Sequence, residues 1–183
     1  RIKKATSKAK ADIAIIEIGG TVGEYQNIMY LEAARMMHYQ SPDDVLFVFV
    51  SYLPIPGTLG EMKTKPTQHA VQQLNSYGIQ PDFVVARSER PIDEPRKQKI
   101  STFCNVSKQD VISNPDVESI YDIPLLLEKD RVSEKILKKL QLKPRTKNMK
   151  EWQKMVSAMK RVKKTIKIGI VGKYFATGDF MLS

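Results

Sequence analysis

Cysteine is nearly missing from this chain of 183 residues, with Cys104 its sole representative. One thiol excludes a disulfide framework and any zinc site built on paired cysteines. Two histidines, His38 and His69, are too few and too far apart in sequence for a His-based metal cluster. No apolar run approaches the roughly 20 residues that span a bilayer, and the Lys-rich start lacks the apolar core of a secretory signal. No glycine loop closes in Gly-Lys-Ser/Thr, so the sequence carries no Walker A loop. An initiating Met is also lacking, and a piece of a longer polypeptide is the expectation. These absences point to a cytoplasmic protein without a membrane partner.

What is present describes an ordinary globular domain, with 42% hydrophobic and 27% charged residues. The net charge of +10 is unevenly spread: residues 1–10 carry +5, residues 11–127 carry −6, and residues 128–173 carry +12. The central region is thus acidic, which argues against a nucleic-acid-binding face on the core. Within it, seven of nine basic residues fall between Lys63 and Lys99. A basic cluster inside an acidic domain suits a small anion better than a duplex.

The organising stretch is Ile13 to Gln26. Ile13, Ala14, Ile15 and Ile16 read as a strand buried on both faces, Glu17 stands at its end, and Gly19, Gly20 and Gly23 precede a helical pattern. A strand, a glycine turn and a helix start offer backbone N–H groups at a sheet's carboxyl edge, where ligands sit in open α/β folds. A carboxylate beside an anion site makes sense if Mg²⁺ bridges the two. The bland alternative is a glycine-rich turn that only reverses the chain.

Residues 1–11 read as a basic surface segment. The spacing predicts an amphipathic helix over 25–39 on Ile28, Leu31, Ala34 and Met36 with Met37, the methionines as core filler, ended by Ser41, Pro42 and Asp43. Val45 to Val50 predicts a second fully buried strand. A Pro- and Gly-rich loop over 54–62 leads to Lys63-Thr64-Lys65-Pro66-Thr67-Gln68, with Pro66 opening a helix that stops at Gly78. Two lysines and two threonines before a helix start could meet a polyphosphate, or form a solvated basic loop. His69 reads as a surface or capping residue. A third strand is expected over 82–86, with Arg87 to Arg90 at its exit. A helix over 96–103 is expected to turn Ile100 and Phe103 inward. Cys104 reads as a buried small hydrophobe, and a fourth strand is expected over 110–113 with a turn at 114–116. Strands alternating with helices predict an α/β fold with a parallel sheet and crossover helices. Further on, residues 123–127 are apolar and 133–142 predict a short basic helix. Residues 143–145 look like a boundary, Asn148 and Glu151 resemble a capping box for a helix to Met159, and 160–164 read as a solvated linker. Residues 165–171 predict a fresh strand.

EIGGTVGEYQ, GEMKTKPTQHAV, GIQPDFVVARSER, KISTFCNV and SIYDIPLLLE follow in this order, and together they resemble the CTP synthase family, in the second half of its synthetase (amidoligase) domain. IGIVGKY near the end is similar to the first strand of that family's glutaminase domain. The resemblance implies a P-loop NTPase-like, Rossmann-like amidoligase domain, incomplete here, over 1–142. It further implies an interdomain linker helix over 143–164 and a truncated glutaminase start over 165–183. The implied activity is amination of UTP to CTP: ATP phosphorylates the uracil 4-oxygen, and glutamine-derived ammonia displaces phosphate, with GTP as allosteric activator. Matching residue by residue, Glu17 resembles a Mg²⁺ ligand, and Glu24, Tyr25 and Gln26 resemble contacts to the inhibitor CTP. Lys63, Thr64, Lys65, Pro66, Thr67 and Gln68 with Lys99 resemble contacts to UTP and CTP. Pro115, Asp116 and Val117, with Arg87 nearby, resemble the segment that reads the adenine of ATP. The resemblance also implies a homo-oligomer, dimer to tetramer, with sites between subunits and no nucleic-acid partner. The family's ATP phosphate loop and a second metal-binding Asp belong upstream of these motifs, and its glutaminase Cys, His and Glu belong downstream. The segment is therefore expected to be inactive alone. Two alternatives stay open, an amidoligase of the dethiobiotin or cobyric acid synthetase type and a non-catalytic nucleotide-sensing or assembly module.

Overall fold

The computed structural model describes residues 1–57, 60–145, 148–162, 164 and 166–169. Two compact units divide it, Arg1–Lys147 and Asn148–Ser183. In the first, strands β1 (Val48–Tyr52), β2 (Phe83–Ser88) and β3 (Val111–Pro115) form a parallel sheet in the order β1-β2-β3. Parallel neighbours need a crossover, supplied by α3 (Lys65–Ser76) between β1 and β2 and by α4 (Glu94–Cys104) between β2 and β3. Stepping twice in one direction puts both helices on one face of the sheet.

That face holds the core. Val71 of α3 and Ile100 and Cys104 of α4 pack with Val84 and Ala86 of β2, Val111 of β3, and Leu53, Met62 and Val106 from loops. Strand alternation sends Phe83, Arg87, Ile112 and Asn114 to the opposite face. Helices α5 (Ile123–Lys129) and α6 (Val132–Lys139) follow β3 there, and Lys139 Nζ lies 5.1 Å from the Phe83 ring centre. The same ammonium reaches Asp110 Oδ2 at 3.1 Å and Asp82 Oδ1 at 3.9 Å, pinning α6 to the sheet's amino edge.

A smaller cluster of Leu31, Leu74 and Ile79, flanked by Ile18, Val22, Phe47 and Tyr77, seats α2 (Ile28–Gln40) against the second half of α3. Tyr25–Asn27 forms a 3₁₀ turn ahead of α2. The second unit contains α7 (Lys150–Lys160).

Several expectations are corrected. Ile13–Ile16 forms no strand, and Ile13, Ile15 and Ile16 are 42%, 95% and 52% exposed. A strand needs a partner for its backbone groups, and no described strand pairs with this run. The second strand begins at Val48 rather than 45, because the Phe47 amide donates to Asp82 Oδ2 at 2.9 Å rather than to a neighbouring strand. It is also not fully buried: Val48, Val50 and Tyr52 are exposed, since α5 packs on the β3 side of that face. The basic start folds as helix α1 (Ile2–Ala9), closed by Lys10 in the left-handed conformation, a product of its Ala and Lys content. Phe103 is 55% exposed, because Ile100 and Cys104, four apart, take the buried stripe of α4. Met36 is exposed rather than core, with Leu31 the buried anchor of α2. Asn148 accepts from the Lys150 amide, but Met149 is the N-cap of α7 and no capping box forms. Of the expected strand 165–171, residues 166–169 carry none, and 165, 170 and 171 lie outside the described residues. IGIVGKY, the glutaminase-like stretch, falls largely outside them too.

Candidate functional site

The carboxyl edge of the sheet is built from three chain exits. After β1, the Leu53 amide donates to the Arg87 carbonyl at 2.8 Å, so the exit stays bonded to β2. After β2, the buried Ser88 hydroxyl donates to the Arg90 carbonyl at 2.6 Å, which sets the turn. After β3, the Asp116 amide donates to the Ser88 carbonyl at 2.8 Å. Strand register places Tyr52 beside Arg87, and Arg87 beside Asn114.

At the β2–β3 end of this edge lies a cavity of about 400 Å³ lined by Arg87, Asn114, Pro115, Asp116, Val117, Ile120 and Ile123. Four of these, Arg87, Pro115, Asp116 and Val117, are sequence-predicted site residues, drawn here from β2 and from the end and exit of β3. Ile120 and Ile123 supply an apolar wall, and Arg87 and Asp116 supply charge, a combination suited to a flat ring with a polar edge. Sequence reasoning missed Asn114, whose buried Oδ1 has no hydrogen-bond partner. Only its position in register with Arg87 could have pointed to it.

The second cluster surrounds the loop into α3. Lys63 Nζ lies 2.7 Å from Glu61 Oε2, and Arg96 NH2 lies 3.4 Å from Glu61 Oε1. The hydrogen bond from Lys63, its charge, and then those of Arg96 and Lys99 hold the Glu61 carboxyl below its ordinary value. Lys63 and Lys99, 36 positions apart in sequence, thus act on one carboxylate. Arg96 also donates through Nε to the Met62 carbonyl at 3.0 Å and pairs with Asp93, the α4 N-cap. Neither Glu61 nor Arg96 was singled out from sequence, although Arg96 sits within the basic window and Glu61 two positions before it.

Inside the motif the side chains divide. Lys65 and Pro66 are exposed and Lys63 is half-buried, whereas Thr64, Thr67 and Gln68 are buried. Thr67 and Ser51 of β1 share a 2.8 Å hydroxyl contact, and Gln68 Nε2 donates to Thr64 Oγ1 at 3.0 Å. These three therefore brace the α3 start, while the lysines face outward. No side chain caps α3, because the Thr64 hydroxyl is engaged by Gln68. His69 is exposed.

The glycine turn is ordered by its own contacts. The Thr21 amide donates to Glu24 Oε1 at 2.9 Å and Gln26 Nε2 to Oε2 at 3.2 Å, and these hydrogen bonds hold the Glu24 carboxyl below its ordinary value. Asn27 Nδ2 donates to the Gly19 carbonyl at 2.6 Å. Tyr25 is 92% exposed. A Cβ on Gly23 would come 1.9 Å from Gln73 Nε2, so the turn lies against the third turn of α3. Lys65 and Gln73 are separated by about 12 Å along the helix. Glu24–Gln26 and the Lys63 cluster are thus served by different ends of α3. Glu17 is exposed.

No group of three or more His, Cys, Asp or Glu among the described residues could hold a metal. Mg²⁺ is commonly held by one or two carboxylates, with phosphates and water completing its shell, and Glu17, an exposed hard oxygen donor, fits that limited role. Cys104 is buried, and burial pushes its thiol up to about 11, which removes it as a nucleophile at neutral pH.

A three-stranded parallel sheet with crossover helices, and polar chemistry gathered at its carboxyl edge, defines a Rossmann-like α/β domain. The chain belongs to the CTP synthase family: the family described as "CTP synthase N-terminus" matches residues 1–142. The CTP synthase of Pyrococcus horikoshii is 48% identical over 169 residues, covering 92% of this chain and 32% of that protein. Those of a Picosynechococcus species and of Sulfolobus acidocaldarius are 44% and 45% identical, each over the whole chain and about a third of the relative. The chain spans about a third of the length of the curated relatives it matches. No described helix is long and apolar enough to cross a membrane.

Proposed function

We propose that this chain provides the nucleotide-receiving half of a CTP synthase, an ATP-dependent carbon–nitrogen ligase that aminates UTP with ammonia derived from glutamine. The observation that carries this reading is the cavity of about 400 Å³ that draws Arg87 from β2 together with Pro115, Asp116 and Val117 from the end of β3 and its exit. In this reading it takes the adenine of ATP, with Ile120 and Ile123 against the ring. Lys63, Lys65 and Lys99 receive the triphosphate of UTP or CTP beside the uncapped start of α3, where the helix dipole favours anions. Thr64, Pro66, Thr67 and Gln68 hold that start in shape. Glu24, Tyr25 and Gln26 contact the inhibitor CTP. Their service by the far end of α3 is accommodated if nucleotide sites form between subunits of a dimer or tetramer. Glu17 holds Mg²⁺, which when bound would neutralise phosphate charge. GTP as activator, a cytoplasmic setting and the division at 142 and 164 belong to the same reading, as does inactivity of this segment alone.

Calorimetric titration of the chain with UTP, CTP and ATP, each with Mg²⁺, tests the reading. Expected are a preference for pyrimidine triphosphates with Kd about millimolar or tighter, and its loss in Lys63→Ala. No pyrimidine preference, with tight nucleic-acid binding of steep salt dependence, would overturn it in favour of the basic segments acting on another partner.

A further inference from the structure

Glu61 occupies a position that the reading above reserves for a ligand's phosphate. Its two carboxylate oxygens divide between Lys63 Nζ at 2.7 Å and Arg96 NH2 at 3.4 Å, and Lys99 adds its charge from α4. Lys63 and Lys99 are the two motif-borne cations this arrangement brings together. The backbone around Glu61 is held from both sides. Arg90 NH2 donates to the Gly60 carbonyl at 2.7 Å, and Arg96 Nε donates to the Met62 carbonyl at 3.0 Å. Its place among the cations is therefore set by the exit of β2 and the first turn of α4. The side chain itself is 58% exposed, so it can swing into water without uncovering any core.

We propose that Glu61 is an internal counter-anion of the triphosphate site, seated on Lys63 and Arg96 when no ligand is bound and displaced by the ligand's phosphate tail. This rests on the reading of Lys63 and Lys99 as triphosphate contacts. A carboxylate brings one negative charge, whereas a nucleoside triphosphate brings several and outcompetes it; weakly charged anions do not. Glu61 thereby lowers affinity for every phosphate-bearing ligand and raises the charge a ligand must carry to enter. If Glu61 instead served to hold the lysines in a binding-ready pose, its removal would weaken binding, so the two roles differ in sign.

The test is calorimetric titration of the full chain and of Glu61→Gln with UTP, inorganic tripolyphosphate and uridine at fixed ionic strength. The Gln variant is expected to bind UTP and tripolyphosphate roughly two- to fivefold tighter, the range of a partly exposed ion pair, with uridine binding unchanged. Glu61→Ala, which cannot hydrogen-bond either cation, is expected to move in the same direction. Equal or weaker UTP binding by both variants overturns the inference while leaving the site reading intact. A gain that extends equally to uridine also overturns it. If the unaltered chain binds neither UTP nor tripolyphosphate, the site reading fails and the inference falls with it.

Discussion

Gly20 sits at φ +81°, and a Cβ there would stand 2.3 Å from Glu24 Oε2 and 2.7 Å from Asn27 Nδ2. The left-handed backbone demands glycine and a methyl would push both side chains aside, so Gly20→Ala should destabilise the chain by about 1–2 kcal/mol in urea unfolding. The glycines were readable as a turn, but not the reason for each: the side chains that crowd Gly20 are four and seven residues away. Cys104 was readable as a buried hydrophobe. With its thiol pushed up to about 11 by burial, it should react with a thiol reagent at pH 8 only when denaturant opens the domain. Rapid labelling of the native chain would contradict its burial. For Glu17, the expected outcome in a full-length enzyme carrying Glu17→Ala is loss of CTP formation with glutamine hydrolysis largely kept. Equal loss of both in a folded protein would count against the metal role. In the Lys63–Gln68 motif, residue types announced an anion site, yet Thr64, Thr67 and Gln68 turn inward, Thr67 onto Ser51 of β1 and Gln68 onto Thr64.

Helix α4 shows how local chemistry starts an element. Asp93 accepts from the Arg96 amide at 2.9 Å, Pro95 occupies the first turn, and Asn105 closes the helix in the left-handed conformation. Asp93→Ala removes the cap and the partner of Arg96 together, and should cost about 1 kcal/mol in thermal or urea unfolding. Because Arg96 also holds the Met62 carbonyl, the variant should loosen the loop that carries Glu61 and Lys63, readable as faster amide exchange there. Helices α3 and α4 and strands β2 and β3 were legible within a few residues, since apolar period, proline and cap residues agree. The Ile13–Ile16 run misled for the opposite reason. Its β-branched composition signals a strand, but strand formation is a pairing event, and no described strand offers it an edge.

Charge acts over the whole chain. The carboxyls of Glu24, Glu32, Glu61 and Glu94 are all held below their ordinary value by hydrogen bonds, from Thr21, Arg35, Lys63 and Lys108 respectively. Between the ordinary and lowered values the unfolded chain binds more protons than the folded one, so stability falls as pH falls through that window. Melting temperature should therefore hold roughly level from pH 7 to about 5 and decline towards pH 3.5. A melting temperature that stayed level or rose between pH 5 and 3.5 would contradict this linkage.

The family, the alternation of strands and helices, and the residue types able to hold phosphate and metal follow from the order of residues, because periodicity, caps and motifs are local in the chain. Which of those residues meet is a different matter. Arg87 and Asn114 share one cavity wall, Arg96 reaches Glu61 across 35 positions, and Gly23 lies against Gln73, all through contacts between distant segments. Strand register and helix packing alone set those distances, and no spacing in the sequence encodes them.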